Sequence, residues 1–284
     1  MSGKPKIAIV GPGRLGSALA MALRKAGYSI AGIQSRNSAA STRRASKLAA
    51  MVGSRVISWP SRFNADVVWF CVPDREIANV GREWAAPGEW KGKIAFHSSG
   101  ALSSQELDPL RQRGAAVASV HPLMTFVRKS TPSLSGVAFG IEGDAAAVRM
   151  ARRIVRDLQG EAFLISRKNK AAYHAWGAFA SPLLIALLVA AEQVARAAGL
   201  STAAARKKML PILRQTLSNY AKFGPAEAFS GPIVRGDSEV VGQHLTALKK
   251  VREARKVYAA LAQVALLHLP SGNRKQLQRL LRKA

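Results

Sequence analysis

Cysteine is nearly absent from this 284-residue sequence; Cys71 stands alone. No internal disulfide framework can hold the fold, and such usage suits a reducing cytosol. Acidic residues are scarce too, 16 Asp and Glu against 43 Lys and Arg, which leaves a formal net charge of +27. The excess is +11 over residues 1–150 and +16 over 151–284, so it is not gathered into one basic tail. A field of that sign attracts anionic ligands and polyanions. Yet no helix-turn-helix, finger or RNP pattern is present, and the basic clusters at 167–170, 206–208 and 274–283 read as solvated helix faces. Specific nucleic-acid binding is therefore not expected. No secretory leader is expected either, because "MSGKPKIAIV" enters a strand almost at once. The one long hydrophobic run, 175–191, contains Gly177 and Ser181-Pro182 and is flanked by Lys168, Lys170, Glu192 and Arg196. It reads as a buried helix of a soluble, cytoplasmic protein rather than a membrane span.

What is present is an alternation. Short apolar strands at 6–10, 28–35, 55–58 (weak), 66–72, 93–99, 115–120 and 136–142 are separated by helical stretches at 14–26, 39–51, 74–84 and 144–159. Ser103 and Glu106 have the spacing of a capping box. Strands buried on both faces and joined by helices predict an α/β fold, a doubly wound and mostly parallel sheet. After "AFLI" (162–165) everything reads as helix: 167–198, 202–222, 238–247, 250–267 and 273–283, with breaks at Gly199, Gly224-Pro225, Gly231-Pro232 and Pro270. Two domains follow, 1–163 with the sheet and 164–284 all helical.

The first strand runs into "GPGRLG", which places Gly11, Gly13 and Gly16 in G-x-G-x-x-G spacing at the start of a helix. Gly11 permits the tight turn, Gly13 lets a pyrophosphate approach the backbone, and Gly16 allows helix to pack on strand. Arg14 and Leu15, in the same turn, would offer backbone N–H groups to the phosphates. Twenty residues after Gly16, where a carboxylate often holds the adenosine ribose, the chain has Ser35 and Arg36, with Arg43 and Arg44 on the next helix. Hydroxyl and guanidinium suit a 2′-phosphate, which favours NADP(H) over NAD(H). A solvated loop arginine is the plainer alternative.

Further motifs occur in order: "CVPDREI" (71–77), "HSSGALS" (97–103), "SVHPLMTF" (119–126), "YHAWGAFASPLL" (173–184) and "GPIVRGD" (231–237). Over nearly its whole length the chain resembles a family of Rossmann-fold oxidoreductases. The helical C-terminal half of that family is a domain of unknown function, and the family is grouped with 6-phosphogluconate dehydrogenase, ketopantoate reductase and pyrroline-5-carboxylate reductase. The resemblance implies that Val72, Pro73 and Asp74 form a loop beside the nicotinamide ribose. It also implies that His97 to Gly100, with Ser98 and Ser99, form the next such loop, and His121-Pro122 the one after. It departs at Ala180-Ser181-Pro182, where the family often has Ala-Ser-Asn, so a possible substrate-binding amide is missing.

On an ideal helix over 167–198, Lys170, His174, Gly177 and Ser181 fall within roughly 60° of one another, a narrow polar stripe. Lys170 and Ser181 would stand roughly 16 Å apart along the axis, so both cannot touch one reacting group. His174 is the expected proton donor or polariser, with Lys170 or Ser181 orienting substrate. A histidine hydrogen-bonded inside the helical domain is the bland alternative, and Tyr173 reads as packing. Arg235 could clamp a substrate carboxylate, His121 could also touch substrate, Asp237 is placed as an N-cap, and His244 is a weak candidate. No metal site is expected. The reading is an NADP(H)-dependent oxidoreductase acting on a small anionic oxo or imino acid between two domains, working as a homodimer because one copy alone would leave the apolar helix uncovered. A non-catalytic NADP-binding sensor or assembly protein and, less favoured, a polyanion-binding protein are the alternatives.

Overall fold

A computed structural model of the protein describes residues 3–283 apart from 37, 58–63, 87–88, 129 and 131. The chain divides into two compact units, Met1–Ala178 and Phe179–Ala284.

The first unit is built on seven strands: β1 (Ile7–Val10), β2 (Ile30–Gln34), β3 (Val67–Phe70), β4 (Ile94–His97), β5 (Ala116–Pro122), β6 (Ala138–Gly143) and β7 (Glu161–Leu164). Helices α1 (Arg14–Lys25), α2 (Ala39–Val52), α3 (Asp74–Ala85), α4 (Asp108–Gln112), α5 (Ala145–Asp157) and all but the last two residues of α6 (Lys170–Ala180) complete it. The strand order is β2-β1-β3-β4-β5-β6-β7. Every residue of β1 and of β3 is buried, which is why these segments read as unbroken apolar runs. Successive side chains of β3 serve opposite faces. Val67 and Trp69 join a core with Leu19, Leu23, Phe96 and Ile154, whereas Val68 and Phe70 join one with Trp84, Trp90 and Leu107. Because β1 lies between β2 and β3, the connections leaving β1 and β3 diverge at the carboxyl ends of the strands, where sheets of this order bind ligands.

Two local expectations need correction and a third is refined. The weak strand at 55–58 is a single bridge between Ile33 and Val56, with residue 58 outside the described residues. Ile57 instead leans across Gly32 of β2, where a Cβ would have no room. The segment at 136–142 is a strand as expected; its pairing with β5 is the one antiparallel pair of an otherwise parallel sheet, and among the described residues of the connection between them there is no helix to cross the sheet. Ser103 caps a 3-10 turn (Ser104–Leu107) by accepting the Gln105 N–H at 3.4 Å, while the Glu106 N–H goes to the Ser103 carbonyl, so no capping box forms.

The second unit contains α7 (Pro182–Ala197), α8 (Thr202–Ala228), α9 (Pro232–Arg235), α10 (Ser238–Ala247), α11 (Arg252–His268) and α12 (Arg274–Leu281). Its core gathers Val241, Leu245, Ala259, Ala262, Leu266, Leu277 and Leu281. The expected continuous helix over 167–198 is broken. It opens as a 3-10 turn at Arg167–Asn169, α6 ends at Ala180, and Ser181 (φ −132°, ψ −82°) leaves the helical region before Pro182 starts α7. Proline has no N–H to give and its ring clashes with the preceding turn. The segment Arg167–Ala197 is apolar enough to cross a membrane by composition and length. Broken into 11 and 16 residues, its pieces reach only about 17 and 24 Å against a hydrocarbon core of about 30 Å. The expectation that this run is buried is also overturned: α7 has no buried residue.

Candidate functional site

The turn after β1 is shaped by what its glycines exclude. Gly11 has φ +100°, and a Cβ there would lie 2.6 Å from the Cys71 carbonyl oxygen. A Cβ on Gly16 would run into the Gly11 carbonyl, so this glycine lets α1 press against the turn. Gly13 differs from both: it is exposed, and a Cβ there would meet nothing. It is also the N-cap of α1 and has no side chain with which to satisfy the free N–H groups of the first turn. Open backbone facing the positive end of a helix dipole is what an anionic diphosphate needs. The Arg14 guanidinium is occupied elsewhere, donating to the Phe126 carbonyl at 2.9 Å, so its contribution to a phosphate site is its backbone N–H; Leu15 is half-buried beside it.

The Gly11 N–H donates to the Gln34 carbonyl at 2.8 Å, which ties this turn to the end of β2. Ser35 and Arg36 follow directly, Arg36 exposed. Residues that would hold a diphosphate and a ribose phosphate are thus on adjoining loops. Val72 leans over Gly11, Pro73 is the N-cap of α3, and Asp74 begins it.

A second group of polar residues assembles at the carboxyl ends of β4 and β5. His97 is fully buried, accepts the Ser99 N–H at Nδ1 (3.1 Å) and meets the Ser103 carbonyl through Nε2 (2.9 Å). Burial pushes its imidazole down to about 4, against the opposing pull of that carbonyl, so the ring is a neutral brace for the 97–103 loop. The Ser98 hydroxyl is taken by Trp69 Nε1 at 2.8 Å. Ser99 is a hub. Its hydroxyl donates to Asp74 Oδ2 (2.8 Å) and accepts from the Ala101 and Leu102 N–H groups, while its carbonyl accepts from Ser119 Oγ (3.0 Å) and from Lys170 Nζ (2.8 Å).

Lys170 is only 3% exposed and also donates to Ser119 Oγ at 2.7 Å. Burial pushes its amine down to about 8, with the charges of Glu142 and Asp74 opposing. Glu142 is itself buried; it accepts from the Ser104 N–H and hydroxyl and lies 3.8 Å from Arg167. His121, half-buried at the end of β5, meets Tyr173 Oη at 2.7 Å through Nδ1, and burial, aided by Lys170 and His174, pushes it down to about 4. His174 is exposed, its ring centre 6.3 Å from that of His121. Gly100 makes that meeting possible: a Cβ there would lie 2.7 Å from His174 Cδ2 and 2.9 Å from His121 Nε2.

Of the sequence-predicted residues, the structure brings Lys170, His174, His121, Ser99 and Asp74 together. Ser181 lies at the helix break in the second unit, so the polar stripe ends at Gly177. Arg235 also lies in the second unit, and its guanidinium is paired with Asp237 at 2.8 Å. Asp237 occupies the N-cap position of α10 as expected, but its side chain makes that pair instead of a cap. His244 bonds Tyr258 Oη at 3.1 Å. Sequence reasoning missed Ser119, Glu142 and the role of Tyr173, and it placed Gly100 in the site loop without its part in bringing His121 and His174 together. Two of these carried a signal: Ser119 shares a strand face with His121 at i, i+2, and Tyr173 shares a helix face with Lys170 at i, i+3.

Residues 2–122 match the Rossmann-like domain family, and residues 137–265 match a family described as a domain of unknown function, DUF2520. The chain is a Rossmann-like domain joined to a DUF2520 C-terminal domain. No curated protein matches it. Among solved structures it is similar to protein TM1727 from Thermotoga maritima (25% identity, TM-score 0.73, 98% of each chain covered). It is also similar to an imine reductase from Myxococcus stipitatus in complex with NADP+ (20%, TM-score 0.62, 98% of this chain and 100% of that one). A pyrroline-5-carboxylate reductase from Coxiella burnetii is likewise similar (14%, TM-score 0.60, 92% and 98%). The two reductases, at those identities, share the fold.

Proposed function

We propose that the chain is an NADP(H)-dependent oxidoreductase acting on the C=O or C=N of a small anionic oxo or imino acid. The observation that carries this reading is the open Gly13 turn and the Arg36 loop on adjoining strand ends, with the Lys170–His121–His174 cluster at the ends of β4 and β5 of the same sheet. The fold shared with NADP-dependent reductases supports it. Bound there, a reduced nicotinamide would supply the electron pair. The chain's own part is fourfold. The first-turn N–H groups of α1 hold the diphosphate, and Ser35 with Arg36 binds the 2′-phosphate. Lys170 fixes the Ser99 loop and lends positive charge toward an anionic substrate. His174, in contact with solvent, donates the proton and regains it from water.

Titration calorimetry tests the cofactor: NADPH should bind at least about tenfold tighter than NADH. Arg36→Ala should weaken NADPH by about tenfold to a hundredfold, the worth of one charge-assisted contact, and leave NADH nearly unchanged. Tighter NADH, or binding of neither, would sink the reading. The break at Ser181-Pro182 favours a second reading, an NADP-binding protein without catalysis. Oxidation of NADPH with any member of a keto- and imino-acid panel would exclude it.

The second unit supports an assembly as well. Phe179, Leu183, Ile185, Leu210, Ile212, Leu217, Tyr220, Phe223, Leu261, Val264 and Leu267 are all exposed, Phe179 by 71% and Ile212 by 67%. At about 150 Å² for a large apolar side chain, such exposure sums to the order of 1,000 Å² over α6, α7, α8 and α11. A stable dimer needs about 800 Å² per partner. The occupant we infer is a second copy of this chain, since exposed apolar side chains on the helices of one copy meet the same side chains of another across a two-fold axis.

A further inference from the structure

The hydroxyl of Tyr173 has two acceptors within reach, and they are unequal. His121 Nδ1 is at 2.7 Å and the His121 carbonyl oxygen at 3.5 Å. The ring of Tyr173 is buried against Gly140, where a Cβ would come within 2.8 Å of Oη, and it meets the His121 ring edge-on at 5.5 Å. The phenol therefore cannot swing away. Burial pushes it up to about 12, so it keeps its proton and must donate it. The short path leads to Nδ1, and a neutral imidazole that accepts at Nδ1 carries its hydrogen on Nε2. The opposite arrangement would send the phenol proton over 3.5 Å to a carbonyl, too long for a sound hydrogen bond. Among the described residues no hydrogen bond engages Nε2, and the atom faces the space that Gly100 leaves by having no side chain.

We propose that Tyr173 is a positioning residue that locks His121 in its Nε2–H tautomer, so that the ring presents a neutral N–H donor over Gly100 to an acceptor oxygen or nitrogen at the ends of β4 and β5. The charged and titratable groups near that ring, Lys170, His174 and His97, are a buried amine, a solvent-facing imidazole and a neutral brace. None of them supplies an uncharged donor from the strand side. Tyr173 thus makes His121 a polarising contact instead of a proton carrier, leaving proton exchange to His174. The identity of the acceptor rests on the oxidoreductase reading; the tautomer does not.

Long-range 1H–15N correlation of the imidazoles in the full chain without ligand tests this directly, since the chain has only five histidines. Loss of signals in His121→Gln assigns the ring. Wild type should show His121 as a single neutral Nε2–H form from about pH 6 to 8. Tyr173→Phe, which keeps the ring and removes the donor, should give a mixture of tautomers or the Nδ1–H form while His174 stays unchanged. An Nδ1–H signature in wild type, or an unchanged tautomer in Tyr173→Phe, overturns the proposal. If that variant fails to fold, the wild-type spectrum decides alone. Absence of NADPH oxidation with every substrate would fault the oxidoreductase reading yet leave the tautomer signature in place, so the two failures are distinct.

Discussion

A lysine amine wedged between the Ser99 carbonyl and the Ser119 hydroxyl is an uncomfortable cation, and its discomfort has a sign. Burial lowers Lys170 from its ordinary 10.5 to about 8. Between those values the unfolded chain binds a proton that the folded one has released, so stability should rise with pH from about 8 to 10.5. Denaturant titrations across that range should show the rise in wild type and its loss in Lys170→Met. His97 and His121 act likewise at lower pH. Both fall from 6.5 to about 4, so the unfolded chain binds more protons in that window, and stability should fall as the pH drops from about 6.5 to 5, before carboxylates titrate. A melting temperature flat over that interval would contradict neutral burial of both rings. At this scale the sequence was only partly legible. Lys170 and His174 stood out as chemistry-bearing side chains in polar spacing, and His121 through the family resemblance. Ser119 and Glu142 did not, because their roles arise from contacts 51 and 38 residues away in the chain.

Among the elements, the glycine turn and the strands were the most legible, because each depends on local spacing. Gly11, Gly13 and Gly16 fall where a strand–turn–helix unit needs them, and α10 spans the residues its periodicity outlined. Gly16→Ala offers a sharp check. Its Cβ would press on the Gly11 carbonyl, backbone that cannot rotate aside, so the variant should lose about 1–3 kcal/mol of stability and most nucleotide affinity. Gly13→Ala, with open space around it, should fold normally and lose affinity only. Denaturant titration with calorimetry separates the two. Less legible were the elements decided by partners. Residues 55–57 have strand-like composition but do not run as a strand beside β2, and the antiparallel direction of β6 depends on its pairing with β5, which no local spacing announces. The break at Ser181 was signalled by Pro182, yet the 3.6-residue periodicity continues across it and hid the discontinuity.

For the whole molecule, the exposed apolar side chains of α7, α8 and α11 and the charge of +27 pull in opposite directions. Light scattering should report twice the 30.3 kDa of one chain. Leu183→Glu with Ile185→Glu, which sets two carboxylates on α7, should return it to a single copy without unfolding the sheet unit. Because like-charged copies repel, raising salt toward physiological strength should favour assembly, the reverse of what a polyanion complex would do. An α7 with no shelter in a solitary chain has a further consequence. Newly made copies released at low abundance carry a greasy ridge that only an encounter can hide, so they should lean on chaperones until they meet. Their resistance to heat should then climb with concentration, as it does when folding and pairing are one equilibrium.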